Sequence, residues 1–497
     1  MPTLYEVNTR VLLQARSEAL ARRATLDDIG DALLDHWAAL GFDWIWLLGV
    51  WRTGAAGRAI ARDHPGLRQA YVAALPDLRD ADICGSCFAI TGYRVADQLG
   101  GEAALRRFRR RLADRGCRLM LDFVPNHTAL DHPWAEARPE LYVSGTEADL
   151  IRAPADFVRI ATVRGPAVLA HGRDPYFPGW SDTLQLNYGT PATQQAMRDE
   201  LLAVADLCDG VRCDMAMLLL PEVFERTWGI AAAPFWPEAI AHARAHHAGF
   251  LFLAEAYWDL EWTLQQQGFD YVYDKRLYDR LVGGDAAGVR AHLAAGLDFQ
   301  RGLARFLENH DEPRAATVFA WQRHQAAAVV TFLSPGLKLL HQGQLEGSRT
   351  RLPVQLCRAP RETTDAAVAD FYARLLAVLR RPELSTGTWA PLAPREAWSG
   401  NDSWQGFVAF AWHGPAGTLI VAVNGAPHAG QCFVDLPLPH LAGGAFVLED
   451  TLGPARYRRQ GDELLGRGLF LDLPAWGRHV FALLPAPAES CNGECTP

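Results

Sequence analysis

Short runs of apolar, β-branched and aromatic residues alternate along this chain with longer Ala-, Leu- and Arg-rich segments of helical periodicity. The first pattern predicts buried strands, the second helices that bury one face. Strand-like runs fall at 4–7, 44–50, 118–124, 210–215, 250–254, 271–273, 305–307 and 337–340. Helix candidates at 102–115, 193–205 and 322–332 lie between them. Eight strands alternating with helices predict a parallel sheet closed into a (β/α)8 TIM barrel. A barrel without insertions needs about 250 residues, yet the eighth run ends near residue 340, so material is inserted. The longest gap follows the third run and contains Asp131-His-Pro-Trp134 and the stretch from Gly172 to Trp180, rich in turn formers. It predicts a small irregular subdomain, 126–186, on the C-terminal rim between barrel segments 1–125 and 187–381. After a helix at 365–380 the pattern changes to strands at 406–412, 418–423, 431–436 and 479–484, broken by Gly and Pro. They predict a C-terminal all-β domain over 382–485, followed by a disordered tail, 486–497.

Composition narrows the classes without naming a function. A net charge of −9 with mixed signs gives no reason to expect a nucleic-acid partner. The arginine run from Arg106 to Arg111 sits in a helical pattern and reads as a solvated face. No apolar run approaches the ~18 residues of a membrane span. The N-terminus lacks the apolar core of a signal peptide, so a cytoplasmic enzyme is the expectation. Nine scattered cysteines fit that compartment better than a disulfide framework. Cys84 and Cys87 have redox or metal spacing, but no second pair completes a zinc site. Cys491 and Cys495 sit in the polar tail.

Chemistry concentrates where barrel enzymes keep it, at the C-terminal ends of strands. The third run ends in Asp122-Phe-Val-Pro-Asn-His127, the fourth in Arg212-Cys-Asp214, the fifth in Glu255 and the seventh in Asn309-His310-Asp311. A lone acidic residue at a strand end is often only a helix cap; four polar clusters at successive ends are poorly explained that way. Carboxylates converging on one rim repel, so one must hold a proton or pair with a cation. Arg212 supplies the cation on the face that Asp214 shares, because strand side chains alternate. An ionised Asp beside a protonated Glu is the pair that cleaves a glycosidic bond, one attacking the anomeric carbon and one protonating the leaving oxygen. His127 and His310 suit sugar hydroxyls.

These four segments resemble, in order and separation, the four hallmark regions of glycoside hydrolase family 13, the α-amylase family. The domain plan is similar too. The resemblance implies that Asp214 is the nucleophile, Glu255 the general acid and base, and Asp311 a stabiliser of the transition state. It implies that Arg212 orients Asp214, while His127 and His310 hold hydroxyls of the reacting sugar. Such an enzyme retains anomeric configuration, with its two reacting carboxyls ~5–5.5 Å apart. The implied substrate is an α-linked oligosaccharide or glucan, captured by water or, in a transglycosylase, by a second sugar. A catalytically silent carbohydrate-binding barrel is the alternative from another class, disfavoured by the complete carboxylate trio.

The departures from the family pattern concern the surroundings. Phe88 stands where relatives commonly place a tyrosine platform under the sugar, with Tyr93 as the other candidate. Met217 and Leu218 replace a Lys-His pair typical of starch-degrading members, which favours small oligosaccharides. Asn126 matches a calcium-ligand position in many relatives, but calcium needs ~6–8 oxygens; no metal or other cofactor is assigned. Trp51, Trp134, Trp180, Tyr257 and Trp258 are candidates for sugar stacking, and Asp274 and Lys275 either reach the pocket or pair with each other. Oligomeric state is left open.

Overall fold

Eight parallel strands close into a barrel: Thr3–Asn8, Trp44–Leu48, Arg118–Phe123, Gly210–Cys213, Leu251–Ala254, Tyr271–Tyr273, Leu303–Arg305 and Leu337–His341. The computed structural model describes residues 1–487, so nearly all of the expected tail, with Cys491 and Cys495, lies outside the described residues. Alternation along each strand separates two cores. Leu4, Trp44, Trp46, Leu48, Met120, Leu253, Tyr273, Leu337 and Leu339 fill the barrel interior. Tyr5, Val7, Ile45, Leu47, Leu119, Leu121, Val211 and Phe252 pack outward beneath the helices. The helix Trp321–Leu333 buries His324 and every residue from Ala326 to Leu333, lying between the barrel and the C-terminal domain.

The seventh strand departs from expectation. It runs over Leu303–Arg305 rather than 305–307. Arg305 is wholly buried, paired with Asp274 and donating to the carbonyl of Pro335. The apolar Phe306 and Leu307 therefore follow the strand, and Phe306 packs on Tyr273 and Tyr278.

Two excursions rise from the rim. The segment after the second strand pairs Trp51–Thr53 with Ile90–Val95 around the helices Ala55–Asp63 and Pro65–Ala74. The segment after the third strand pairs His127–Ala129 with Thr183–Gln185 and contains an antiparallel hairpin, Phe157–Thr162 with Gly165–Ala170. That hairpin turns through Val163 and Arg164 into Gly165, whose φ of 107° few other residues adopt.

Beyond the barrel, a six-stranded sheet faces a three-stranded one. Alternation on Phe407–Gly414 serves both neighbours. Phe407, Ala409 and Ala411 join Ile420, Cys432, Val434 and Phe481 between the sheets. Val408, Phe410 and Trp412 turn the other way, into the core shared with the barrel, where the Trp412 indole donates to the carbonyl of Leu333 at 2.7 Å. Among the described residues no helix is long and apolar enough to cross a membrane.

Candidate active site

Register sets the floor of the site. Cys213 pairs with Phe123 on one side and Ala254 on the other, so Asp214 and Glu255 leave the barrel at one level. The Asp214 amide still donates to Phe123, and that of Glu255 to Cys213, which carries strand geometry one residue further. Arg212, two residues before Asp214 and on the same face, is wholly buried. Its guanidinium donates to Asp214 Oδ1 at 2.6 Å and stands 2.7 Å from Glu255 Oε2. Three aromatic rings, Trp46, Phe88 and Tyr273, surround its Cζ at 5.3 to 5.7 Å. An apolar sleeve of this kind excludes water and strengthens the cation's hold on both carboxylates.

Glu255 is fixed from three sides. Met215 turns through a left-handed φ of 43° and aims its amide at Glu255 Oε2, 2.6 Å away. The Tyr257 hydroxyl donates to Oε1 at 2.9 Å. Burial raises the carboxyl to about 7; Arg212 opposes this, while Asp214 and Asp311 add to it. A carboxyl that keeps its proton near neutrality suits a general acid.

Asp311 reaches the same rim from the turn after the seventh strand. Asn309 Oδ1 accepts from the amides of Asp311 and Glu312, both at 2.9 Å, and so shapes that turn. Glu308 secures its base, paired with Arg314 and accepting from the Ala315 amide. His310 bridges Glu6 Oε1 at 2.5 Å and Asp311 Oδ2 at 3.1 Å. Burial disfavours its charge, but Asp311 and Glu6 outweigh that and hold its pKa well above the usual value. Burial likewise works against ionised Asp311, and His310 beside it wins, pulling the carboxyl well down. The Asp311 side chain is 40% exposed, so solvent weakens that pull.

His127 is buried at the start of its short strand, with the Trp180 ring edge-on at 5.3 Å. Burial lowers its pKa, against the nearby Asp214, and leaves a neutral ring that can both donate and accept. Phe88 comes to the site, its ring 5.4 Å from that of His310. Tyr93 does not: its hydroxyl is tied to the backbone of Val124 and its ring packs on Trp51 and Phe123. Asn126 is engaged by Gln185 in a reciprocal amide pair, at 3.2 Å and 3.0 Å. Among the described residues no group of three His, Cys, Asp or Glu is placed to hold a metal. Met217 and Leu218 are buried in the core, so they present no side chain to an acceptor.

The remaining aromatic candidates divide. Trp51 is core, donating to the carbonyl of Asp122. Trp134 packs on His132 and under the Arg138 guanidinium. Tyr257 touches Glu255. Trp258 adopts a left-handed φ of 62°, and Tyr176 from the inserted segment meets its ring edge-on at 5.0 Å. Asp274 and Lys275 do not pair with each other. Asp274 caps the helix Lys275–Gly283 and pairs with Arg305 and His292, while Lys275 pairs with Asp279 and Glu312.

Sequence reasoning missed Glu6, Trp46 and Tyr273 as parts of the site. Period two from Leu4 and Trp44 places Glu6 and Trp46 inward, and the strands pair at that level. Asp122 lies on the same floor, accepting from the Trp46 indole at 2.9 Å and the Gly49 amide at 2.7 Å; burial raises it to about 6 against those bonds and Arg212.

The rim of the closed parallel barrel thus gathers a guanidinium, three carboxylates and two histidines at the C-terminal ends of its strands. No family model matches the chain. It is 26% identical over 377 residues to α-amylase MalA of Haloarcula japonica, covering 74% of this chain and 47% of that protein. It is 22% identical over 299 residues to α-amylase 3 of Dictyoglomus thermophilum, covering 55% and 57%. The chain thus spans about half the length of the curated relatives it matches. Among solved structures it resembles a maltogenic α-amylase from Thermotoga neapolitana, with TM-score 0.67, 16% identity and coverage of 97% and 98%. An α-amylase from Lactobacillus plantarum gives TM-score 0.67, 20% identity and coverage of 98% and 99%. The relatives and neighbours that the chain resembles are α-amylases, and it shares the fold of those solved structures.

Proposed function

We propose that this protein is a retaining α-glucosidic hydrolase acting on α-linked glucose oligomers or glucans. The observation that carries this reading is the single guanidinium of Arg212 gripping Asp214 and Glu255 together, with the proton biased onto Glu255. Asp214 attacks the anomeric carbon as Glu255 gives its proton to the departing oxygen, leaving a glycosyl ester on Asp214. Glu255, now a carboxylate, takes a proton from water; the hydroxide oxygen bonds to the anomeric carbon and frees Asp214. Asp311 and His127 face the sugar hydroxyls, and Arg212 keeps Asp214 aimed. Capture by a sugar hydroxyl in place of water gives transfer with the same residues.

The curated relatives are α-amylases, and one solved neighbour, from Geobacillus thermoleovorans, is complexed with acarbose. These support an α-glucan as substrate class. Phe88 supplies an apolar face beside the reacting sugar without the hydroxyl of a tyrosine. We place the enzyme in the cytoplasm, a reading supported by seven free thiols among the described residues. NMR of maltotriose and soluble starch digests tests the function. The α-anomer must appear first and equilibrate later; a β-anomer at the outset contradicts a retaining mechanism, and longer products identify transfer.

A further inference from the structure

A second cluster of reactive groups lies behind the rim, outside the carbohydrate site. Ile83 and Leu356 form an isolated antiparallel bridge between the excursion after the second strand and the loop after the eighth. The amide of Cys84 donates to Gln355 at 2.8 Å and that of Cys357 to Asp82 at 2.9 Å. Each cysteine therefore sits one residue past the bridged pair, and alternation puts both side chains on one face. Both thiols are partly exposed; Cys84 donates to the carbonyl of Gln355 at 3.1 Å and Cys357 to that of Ala81 at 3.5 Å.

Arg10 completes the arrangement. Its guanidinium donates to Cys84 Sγ at 3.3 Å, to the carbonyl of Gly85 at 2.9 Å and to Thr53 Oγ1 at 3.3 Å. Among the described residues no carboxylate pairs with it, so the sulfur is the group that can balance its charge. The Cys357 thiol lowers Cys84 most, burial opposes, and Arg10 adds to the fall, bringing it to about 6. Cys357 is held well above the ordinary value, first by Cys84 and then by burial. A pocket of about 520 Å³, lined by Arg10, Arg23, Arg58, Cys84 and Cys357, opens onto both sulfurs. The third nearby thiol, Cys87, is buried and pushed well up, first by burial.

We propose that Cys84 and Cys357 form a redox-modification site, with Cys84 the attacking thiolate and Cys357 the resolving thiol, that takes a small hydroperoxide as oxidant. The Cys84 sulfur attacks the near oxygen of the hydroperoxide; the O–O bond breaks, the far oxygen leaves as an alkoxide or hydroxide and takes a proton, and Cys84 becomes a sulfenic acid. Cys357 then attacks that sulfur, and its proton leaves with the hydroxyl as water. Overall two thiols are oxidised to one disulfide while the hydroperoxide is reduced to an alcohol, or water, plus water. The bond would join the segment carrying Phe88 to the loop carrying Arg351, whose charge acts on Asp311.

The test is peptide mapping under non-reducing conditions of the full chain after brief exposure to hydrogen peroxide. A Cys84–Cys357 cross-link, two hydrogens lighter than the free thiols and reversed by dithiothreitol, is expected. In Cys357→Ser a sulfenic acid stops on Cys84 and is trapped by dimedone; in Cys84→Ser, Cys357 stays unmodified. Iodoacetamide should label wild-type Cys84 at half its maximal rate near pH 6, and Arg10→Met should slow that labelling at pH 6 by about fivefold. Oxidation confined to Cys491 and Cys495 while Cys84 and Cys357 remain reduced overturns the proposal. So does oxidation of Cys357 in Cys84→Ser.

Discussion

Glu255 is the residue on which acid chemistry and stability pull in opposite directions. Because it holds its proton to about pH 7, kcat/KM should fall as pH rises through that value, measured on an unactivated maltooligosaccharide. Glu255→Gln should lose about 10²–10⁴-fold on that substrate, yet keep most of its rate of forming the glycosyl ester from a maltosyl fluoride, whose leaving group needs no proton. The same shift has a sign for folding. The unfolded carboxyl ionises near 4.5, the folded one near 7, so the stability contributed by the protonated form is complete below about 4.5 and is lost as pH rises towards 7. Replacing the carboxyl by a neutral amide should raise Tm at pH 8 by roughly 2–4 °C and leave it unchanged at pH 4, read by calorimetry. Asp214, Glu255 and Asp311 were legible in sequence because each directly follows a strand or its turn, where a packing explanation is weak. Glu6 and Tyr273 were not, because a single acid or tyrosine inside an apolar strand looks like tolerated core until register shows what it meets.

At the scale of elements, two loops meet just past Glu255. The inserted segment leans Tyr176 against Trp258, which sits beside a second left-handed residue, Asp259. Tyr176 is 59% exposed and neighbouring Phe177 67%, an exposed aromatic edge against the loop that follows Glu255. Trp258→Ala should raise KM for maltooligosaccharides about tenfold, a loss of roughly 1–2 kcal/mol of stacking, with little change in kcat on an aryl maltoside. The Asn126–Gln185 amide pair occupies the one side chain that suggested calcium, so dialysis against EDTA should leave Tm and activity unchanged. The seventh strand was misplaced by two residues because an apolar run including an arginine gives no sign of a buried partner such as Asp274. The hairpin at Phe157–Ala170 is not legible in the sequence, since exposed strands lack the apolar period that betrays buried ones. The excursion after the second strand was overlooked for the opposite reason: its helices are short, and its strands pair with each other rather than with the barrel.

At the scale of the molecule, the terminal domain is bound to the barrel through the back face of Phe407–Gly414, a docking that period two in that run anticipates once both faces are apolar. Trp412→Phe, which keeps the ring but drops the bond to Leu333, should cost about 1 kcal/mol of stability without altering kcat, as denaturant unfolding would report. The barrel itself gives the carboxylates a rigid rim, and the fold follows from strand order and register. In the proposed mechanism Asp214 forms a covalent ester with the sugar. Mixing Glu255→Gln with an α-maltosyl fluoride removes the need for an acid and slows release, so the intermediate should accumulate. Peptide mass mapping of the quenched enzyme should then find one maltosyl group on Asp214; maltose released as the β-anomer with no adduct on Asp214 would contradict the account.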